Sequence, residues 1–135
     1  MRFARPASTF AANRGADEAI VISASPEPAI DLVHLARQSD GDEALEAELL
    51  ALFDRQAAHC AQRLADAGLP SRTRADIAHT LRGSALAIGA ARVAAAAEAL
   101  EIAWLSSASP DPALAIRELT LAVAESRAAI AQLRD

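Results

Sequence analysis

The sequence predicts an all-α protein, folded as an antiparallel up-down four-helix bundle with a short N-terminal capping helix. Hydrophobic residues make up 53% of the 135 residues and aromatic residues only 3%, so aliphatic side chains must build the core. Alternating β-branched residues, the usual sign of strands, are nearly absent. Apolar residues recur instead every three or four positions, which is the period of an amphipathic helix. The length predicts a single domain.

The chain is expected to open with a tail. Residues 1–28 mix small, polar and basic residues with proline and lack a sustained hydrophobic period, which is typical of a flexible segment. The domain is then expected over residues 29–135. An apolar run in the tail, Ile20–Val21–Ile22, is a candidate for transient packing on the domain. Ser25–Pro26–Glu27–Pro28 should stop any helix before the domain begins.

Capping and turn signals divide the first part of the domain into two helices. A short helix should begin near residues 29–31 and end near Ser39, before the turn signal Asp40–Gly41–Asp42. A long helix should follow to about Ala67, ended by Gly68–Leu69–Pro70. Its predicted inward positions are Leu45, Leu49, Phe53, Ala57, Cys60 and Leu64.

Three further helices are predicted. The third should start with Ser71 as its N-cap and run to about Ile88, where Gly89 interrupts it. A loop over residues 106–109 precedes a last helix, which Asp111–Pro112 should start. In the fourth helix, Val93, Ala97, Leu100 and Trp104 should face inward, and Glu98 and Glu101 outward. The last helix should bury Ile116, Leu119, Val123, Ile130 and Leu133. Four long helices with short connections favour a bundle.

The third helix carries an unusual run, His79-Thr-Leu-Arg82-Gly83-Ser-Ala-Leu86-Ala-Ile-Gly89-Ala90. At about 100° per residue, the apolar Ile77, Leu81 and Ile88, together with Ser84, lie opposite His79, so the histidine should face water. The residues on the side of His79 are Arg72, Ala75, Asp76, Arg82, Gly83, Leu86 and Ala90. Gly83 lies one turn beyond His79, where a side chain would be expected to crowd the imidazole. Glycine costs about 1 kcal/mol in a helix relative to alanine.

These residues suit a phosphorylated imidazole. Neutral histidine is a good nucleophile near pH 7. The Arg82 guanidinium is close enough to pair with phosphoryl oxygens. Because phosphoryl transfer depends mainly on positioning and charge neutralisation, little else is required on this side of the reaction. The alternative is that His79 is an ordinary surface residue and that Gly83 allows close contact between helices. The position of Gly83 on the polar face argues against this alternative.

The run resembles the signature of histidine-containing phosphotransfer (HPt) domains, His-x-Leu-Lys-Gly followed by two small residues, an apolar residue and Gly-Ala. The matching residues are His79, Leu81, Gly83, Ser84, Ala85, Ile88, Gly89 and Ala90. Arg82 stands where lysine is common, and Leu86 where the family often has a small or polar residue. An aspartate-led short helix from Ile30–Asp31–Leu32 and the following long helix resemble the start of the family's domain. The resemblance covers roughly residues 29–135.

The resemblance implies a phosphorelay intermediate in two-component signalling. His79 would accept a phosphoryl group on Nε2 from the phosphoaspartate of a response-regulator receiver domain and pass it to another receiver. Arg82 would stabilise the phosphoryl charge, and Gly83 would allow the receiver to approach. The implied partners are receiver domains and a hybrid histidine kinase, and the Mg²⁺ is expected on the receiver, so no cofactor is expected here.

Three surface residues near His79 are candidates for partner binding. Leu86 would be an apolar contact on the exposed side, although single exposed leucines are common. Asp76 and Arg72 could set partner choice by charge, or could equally be solvated surface residues.

Composition argues against several other functions. The net charge of −5 and the pI near 5.1 argue against nucleic acid, and no basic stripe is visible. No apolar run approaches the roughly 20 residues of a membrane span, and the start lacks the apolar segment of a signal peptide, so a cytoplasmic location is expected. A metal site is not expected, because the spacing of His34, His59 and His79 with Cys60 is not that of metal ligands. Cys60 is predicted to be a thiol in the core.

The chain is expected to be a covalent carrier and not an enzyme, because it has no Gly-rich phosphate loop and no ATP-binding motif. The main alternative is a helical adaptor that binds receiver domains without transferring phosphate. Two further alternatives are the dimeric helical-hairpin module of a histidine kinase and a bundle with a bound ligand or metal. Four helices in one chain favour a monomer over the dimeric module.

Overall fold

The computed structural model describes residues 28–106 and 112–134, and this part of the chain is helical with no strand, as predicted. The helices are α1 (Leu32–Ser39), α2 (Glu43–Leu64), α3 (Ser71–Ile88), α4 (Ala91–Leu105) and α5 (Ala113–Arg134). The predicted tail lies outside the described residues except for Pro28, and so do residues 107–111 of the last predicted loop and helix start.

The four long helices pack in a closed cycle. α3 makes its most extensive contact with α4, α4 also packs on α5, and α2 packs on both α3 and α5. The short α1 lies against α2 and α3. Fully buried large side chains from all five helices meet in the core. They are Leu35, Phe53, Leu64, Leu81, Val93, Leu100, Leu119 and Ile130.

The start of α1 is tied to the turn between α3 and α4. The Asp31 carboxylate caps α1 by accepting the backbone N–H groups of Val33 and His34, each at 3.1 Å. The Asp31 N–H donates to the Gly89 carbonyl at 2.9 Å. Gly89 ends α3 at φ +83°, and a Cβ there would lie 2.9 Å from the Asp31 carbonyl oxygen. Only glycine fits this turn without strain or displacement of α1.

Two predicted helix ends are wrong. α2 ends at Leu64, before the expected Ala67, because the Asp66 carboxylate accepts the Gly68 N–H at 2.9 Å and closes a local turn. Ser71 is the first residue of α3 and not its N-cap, which is Pro70, without a side-chain capping bond. The predicted turn at Asp40–Gly41–Asp42 is confirmed, because Asp40 is the left-handed C-cap of α1 and Asp42 the N-cap of α2.

Several predicted core positions lie nearer the surface. Leu45 in the first turn of α2 is 37% exposed, and Leu133 in the last turn of α5 is 46% exposed. Leu49, Trp104 and Ile116 are half-buried. The first and last turns of a helix extend beyond the neighbouring helices. Apolar residues that keep the helical period there are therefore not covered by another helix. None of the helices described is long and apolar enough to cross a membrane.

Candidate functional site

His79 lies in the middle of α3 on the surface of the molecule, as predicted. Its side chain is 65% exposed, whereas Ile77, Leu81 and Ile88 on the other side of α3 are buried in the core. The apolar face of the helix therefore fixes the direction of the imidazole through the packing of its neighbours. One edge of the ring contacts a neighbouring side chain, and the other edge faces solvent.

Glu101 holds the inner edge of the imidazole. Its Oε2 lies 3.0 Å from Nδ1 of His79, and its side chain is only 20% exposed. An ionised carboxylate can only accept, so Nδ1 must carry the proton and donate it. In the neutral ring, Nε2 then keeps a free lone pair on the opposite, exposed edge. The expectation that Glu101 would simply face outward is wrong, because its carboxylate turns towards α3.

The short turn between α3 and α4 sets this pairing. In the sequence Ala90 lies midway between His79 and Glu101, just as Gly89 lies midway between Arg74 and Trp104. The Arg74 guanidinium lies 4.7 Å from the centroid of the Trp104 ring, so the registers of the two contacts differ by only one residue. Counting outward from the predicted helix break at Gly89 pairs His79 with Ala99, so the break alone does not identify Glu101 as the partner of His79.

Gly83 leaves open space one turn beyond His79. A Cβ built on Gly83 would have no heavy atom within 4 Å beyond the backbone of its own helix. The expectation that any side chain there would crowd the imidazole is therefore wrong for a methyl group, because the ring is drawn towards Glu101. Nothing within the described fold requires glycine at this helical, exposed position, although it costs about 1 kcal/mol relative to alanine.

Arg82 lies beside this open surface, three residues beyond His79. Residues at this spacing are neighbours on a helix, with Cβ atoms about 5–6 Å apart. The side chain is half-buried, and it forms no ion pair or hydrogen bond with any residue that the structure describes. The guanidinium donors are therefore not taken up by the described residues and could bind an anion near His79.

The three predicted partner-binding residues lie on the same exposed side of α3. Leu86 is 51% exposed. Arg72 and Asp76, with side chains 80% and 71% exposed, form an ion pair with each other over 3.6 Å. Such an exposed pair contributes little to stability. Ala75 and Ala90, also assigned to this side, are buried, since α4 packs along this flank of α3.

The other titratable candidates lie apart from this site. Cys60 is a buried free thiol on α2, and burial raises its pKa, while the charge of Arg63 opposes that shift. His34 is half-buried near Gln38, and His59 is exposed. The described residues contain no group of three or more His, Cys, Asp or Glu side chains that could hold a metal ion.

Comparison with known proteins adds no relative: no protein-family model matches the chain, and no curated protein matches its sequence.

Proposed function

We propose that this protein is a phosphocarrier of the HPt type, which receives a phosphoryl group on His79 from the phosphoaspartate of a receiver domain. The observation that carries the proposal is the His79–Glu101 pair. It presents an exposed imidazole whose Nδ1 is occupied by a carboxylate and whose Nε2 lone pair faces solvent. The resemblance of residues 79–90 to the HPt signature supports the same function.

The geometry supports a direct transfer. The Nε2 lone pair attacks phosphorus, an N–P bond forms, and the P–O bond to the aspartate breaks with its electron pair leaving on the carboxylate. The ring gains positive charge as the N–P bond forms, and the adjacent Glu101 carboxylate stabilises it. The same contact fixes the orientation of the ring before the reaction, as the buried aspartate does for the histidine of a serine protease.

Arg82 and Gly83 have separate roles in this proposal. The Arg82 guanidinium, which has no ion pair or hydrogen bond among the described residues, neutralises charge on the phosphoryl oxygens during transfer and in the phosphohistidine. Gly83 keeps the surface beside Nε2 flat, so that the acidic pocket of a receiver can bring its phosphoaspartate to the nitrogen. The absence of any steric reason for glycine within the described fold supports a role in admitting a partner.

The fold proposed for this function is an antiparallel up-down four-helix bundle capped by α1. The closed cycle of contacts among α2, α3, α4 and α5 supports it. Antiparallel packing of α3 and α4 is supported by the contacts that lie at equal distances from their turn. A hollow lined by Glu43, Leu133 and Arg134 brings the start of α2 beside the end of α5, which supports antiparallel packing of these two helices as well.

The proposed partners are receiver domains of response regulators and of a hybrid histidine kinase. The carrier would supply the nucleophile and the cation, and the receiver would supply the phosphoaspartate and its Mg²⁺. We propose a monomeric carrier in the cytoplasm, without catalytic turnover of its own.

The test is transfer from a panel of phosphorylated receiver domains to the full chain, with His79→Gln as the matched variant. We expect acid-labile, alkali-stable phosphate on the wild-type chain and none on the variant. A folded wild-type chain that binds receivers without taking up phosphate would contradict the proposal and favour the adaptor alternative.

A further inference from the structure

The end of the molecule capped by α1 carries an exposed apolar patch. Leu32 and Val33 of α1 are 52% and 63% exposed, and Leu133 of α5 is 46% exposed. We name these three residues the capping-end patch. Leu32 borders three adjoining hollows, and Leu133 borders two of them. The three side chains therefore belong to one continuous surface and are not isolated exposed residues.

Neither neighbouring helix covers this surface. α1 contacts α2 and α3 through its opposite side, where Leu35 is almost completely buried. Removing the large apolar side chains of the patch from water would lower the free energy of the molecule. Contiguous apolar surface of this kind marks a contact site more often than scattered exposed leucines do.

We propose that the apolar run Ile20–Val21–Ile22 of this same chain covers the capping-end patch. The described part of the chain starts at Pro28, and Pro28 borders the same hollow as Leu32 and Leu133. The run is therefore tethered at the rim of the surface. The five residues between them can span about 17–18 Å when extended, which is enough to bring the run back over α1.

The tether favours this occupant over a second copy of the chain. A segment joined by a short linker is present at an effective concentration on the order of millimolar, whereas a second copy at micromolar concentration is far more dilute. The run also has suitable chemistry, with three consecutive β-branched aliphatic residues between Ala19 and Ser23. The contact is separate from His79 and does not depend on the proposed function.

Paramagnetic broadening in the full chain tests the contact. A nitroxide is attached at Ser23→Cys in a Cys60→Ala background, and the backbone amide signals of Leu32, Val33 and Leu133 are measured. Two matched variants carry the same label: Ile20→Ser with Val21→Ser and Ile22→Ser, and Leu32→Ser with Val33→Ser. Circular dichroism checks that each variant keeps its helices.

We expect loss of signal intensity at Leu133 in the labelled parent, and recovery of that intensity in both matched variants. Equal broadening in the parent and the variants would overturn the proposal, because the linker alone would then explain it. Broadening of an isotope-labelled chain by a separate nitroxide-labelled chain would also overturn it and would assign the patch to a second copy.

Discussion

At the scale of single residues, the central feature is the different environment of the two ring nitrogens of His79. Glu101 takes Nδ1 at 3.0 Å and leaves Nε2 exposed. A histidine with both nitrogens in water would exchange between two neutral tautomers and rotate freely. In the proposed function, the half-buried Glu101 carboxylate therefore orients the His79 ring as the nucleophile.

Glu101→Gln is expected to slow uptake of phosphate by His79 about 10-fold, because the amide can donate as well as accept and no longer requires a proton on Nδ1. The measurement is the rate of transfer from a phosphorylated receiver, together with the ¹⁵N chemical shifts that report the His79 tautomer. Glu98→Gln, an exposed position on the same helix, is the control. An unchanged tautomer and an unchanged rate in Glu101→Gln would contradict the role given to this carboxylate.

Cys60 predicts a dependence of stability on alkaline pH. Burial raises the thiol pKa above its ordinary value of 9.0, so the unfolded chain releases this proton at lower pH than the folded chain. The contribution to the free energy of unfolding is fully present below about pH 9 and is lost as pH rises through the folded-state pKa. Urea unfolding between pH 7 and 10 should show this loss. Cys60→Ala should unfold with a flatter alkaline profile, and an identical profile would refute the assignment.

At the scale of the helices, α3 combines a buried face with an open one. Its glycines have opposite explanations. Gly89 is fixed by its left-handed backbone and by the Asp31 backbone beside it, whereas Gly83 has ordinary helical geometry and open space. The fold therefore requires glycine at position 89 but not at position 83.

Gly83→Ala should therefore raise the free energy of unfolding by up to about 1 kcal/mol, because alanine is the better helix former and meets no neighbour. Gly83→Leu should also fold, but should lose phosphoryl uptake by blocking the approach to Nε2. Ala87→Leu, at an exposed position one turn further along α3, is the control for an added leucine. Thermal unfolding and transfer rates measure the two effects, and full transfer activity in Gly83→Leu would disprove the role of this glycine in access.

Gly89→Ala should destabilise the fold more than Gly41→Ala. Both glycines have positive φ angles, +83° and +79°, so each substitution carries a backbone strain of about 1–2 kcal/mol. Only at Gly89 would the added Cβ also meet backbone, 2.9 Å from the Asp31 carbonyl oxygen, whereas Gly41 has nothing within 4 Å. Urea unfolding of the two variants measures the difference, and equal losses would show that the α1 contact adds nothing.

Helix ends were predictable from sequence where a side chain caps the backbone, as at Asp42, or where a glycine takes a left-handed conformation, as at Gly89. They were not predictable at Asp66, whose turn competes with the last turn of α2. The exposure of His79, Gly83 and Leu86 follows from the helical period alone. Glu101 was missed because the helical period of α4 places it on the outer side, and its contact with His79 depends on how two helices align across a turn.

At the scale of the whole molecule, the packing of the helical core positions the two side chains of the proposed phosphoryl-acceptor site. Burial of Leu81, Val93 and Leu100 holds α3 against α4, and this contact sets the distance from Glu101 to His79. In the proposed function, transfer needs a second protein that supplies the phosphoaspartate.

The most direct measurement is the position of the phosphoryl group after transfer from a phosphorylated receiver, by ³¹P and ¹⁵N NMR on the full chain. We expect a single phosphohistidine at His79, bonded through Nε2, with the Nδ1 proton retained beside Glu101. Phosphate on Nδ1 of His79, or on any other residue, would contradict it.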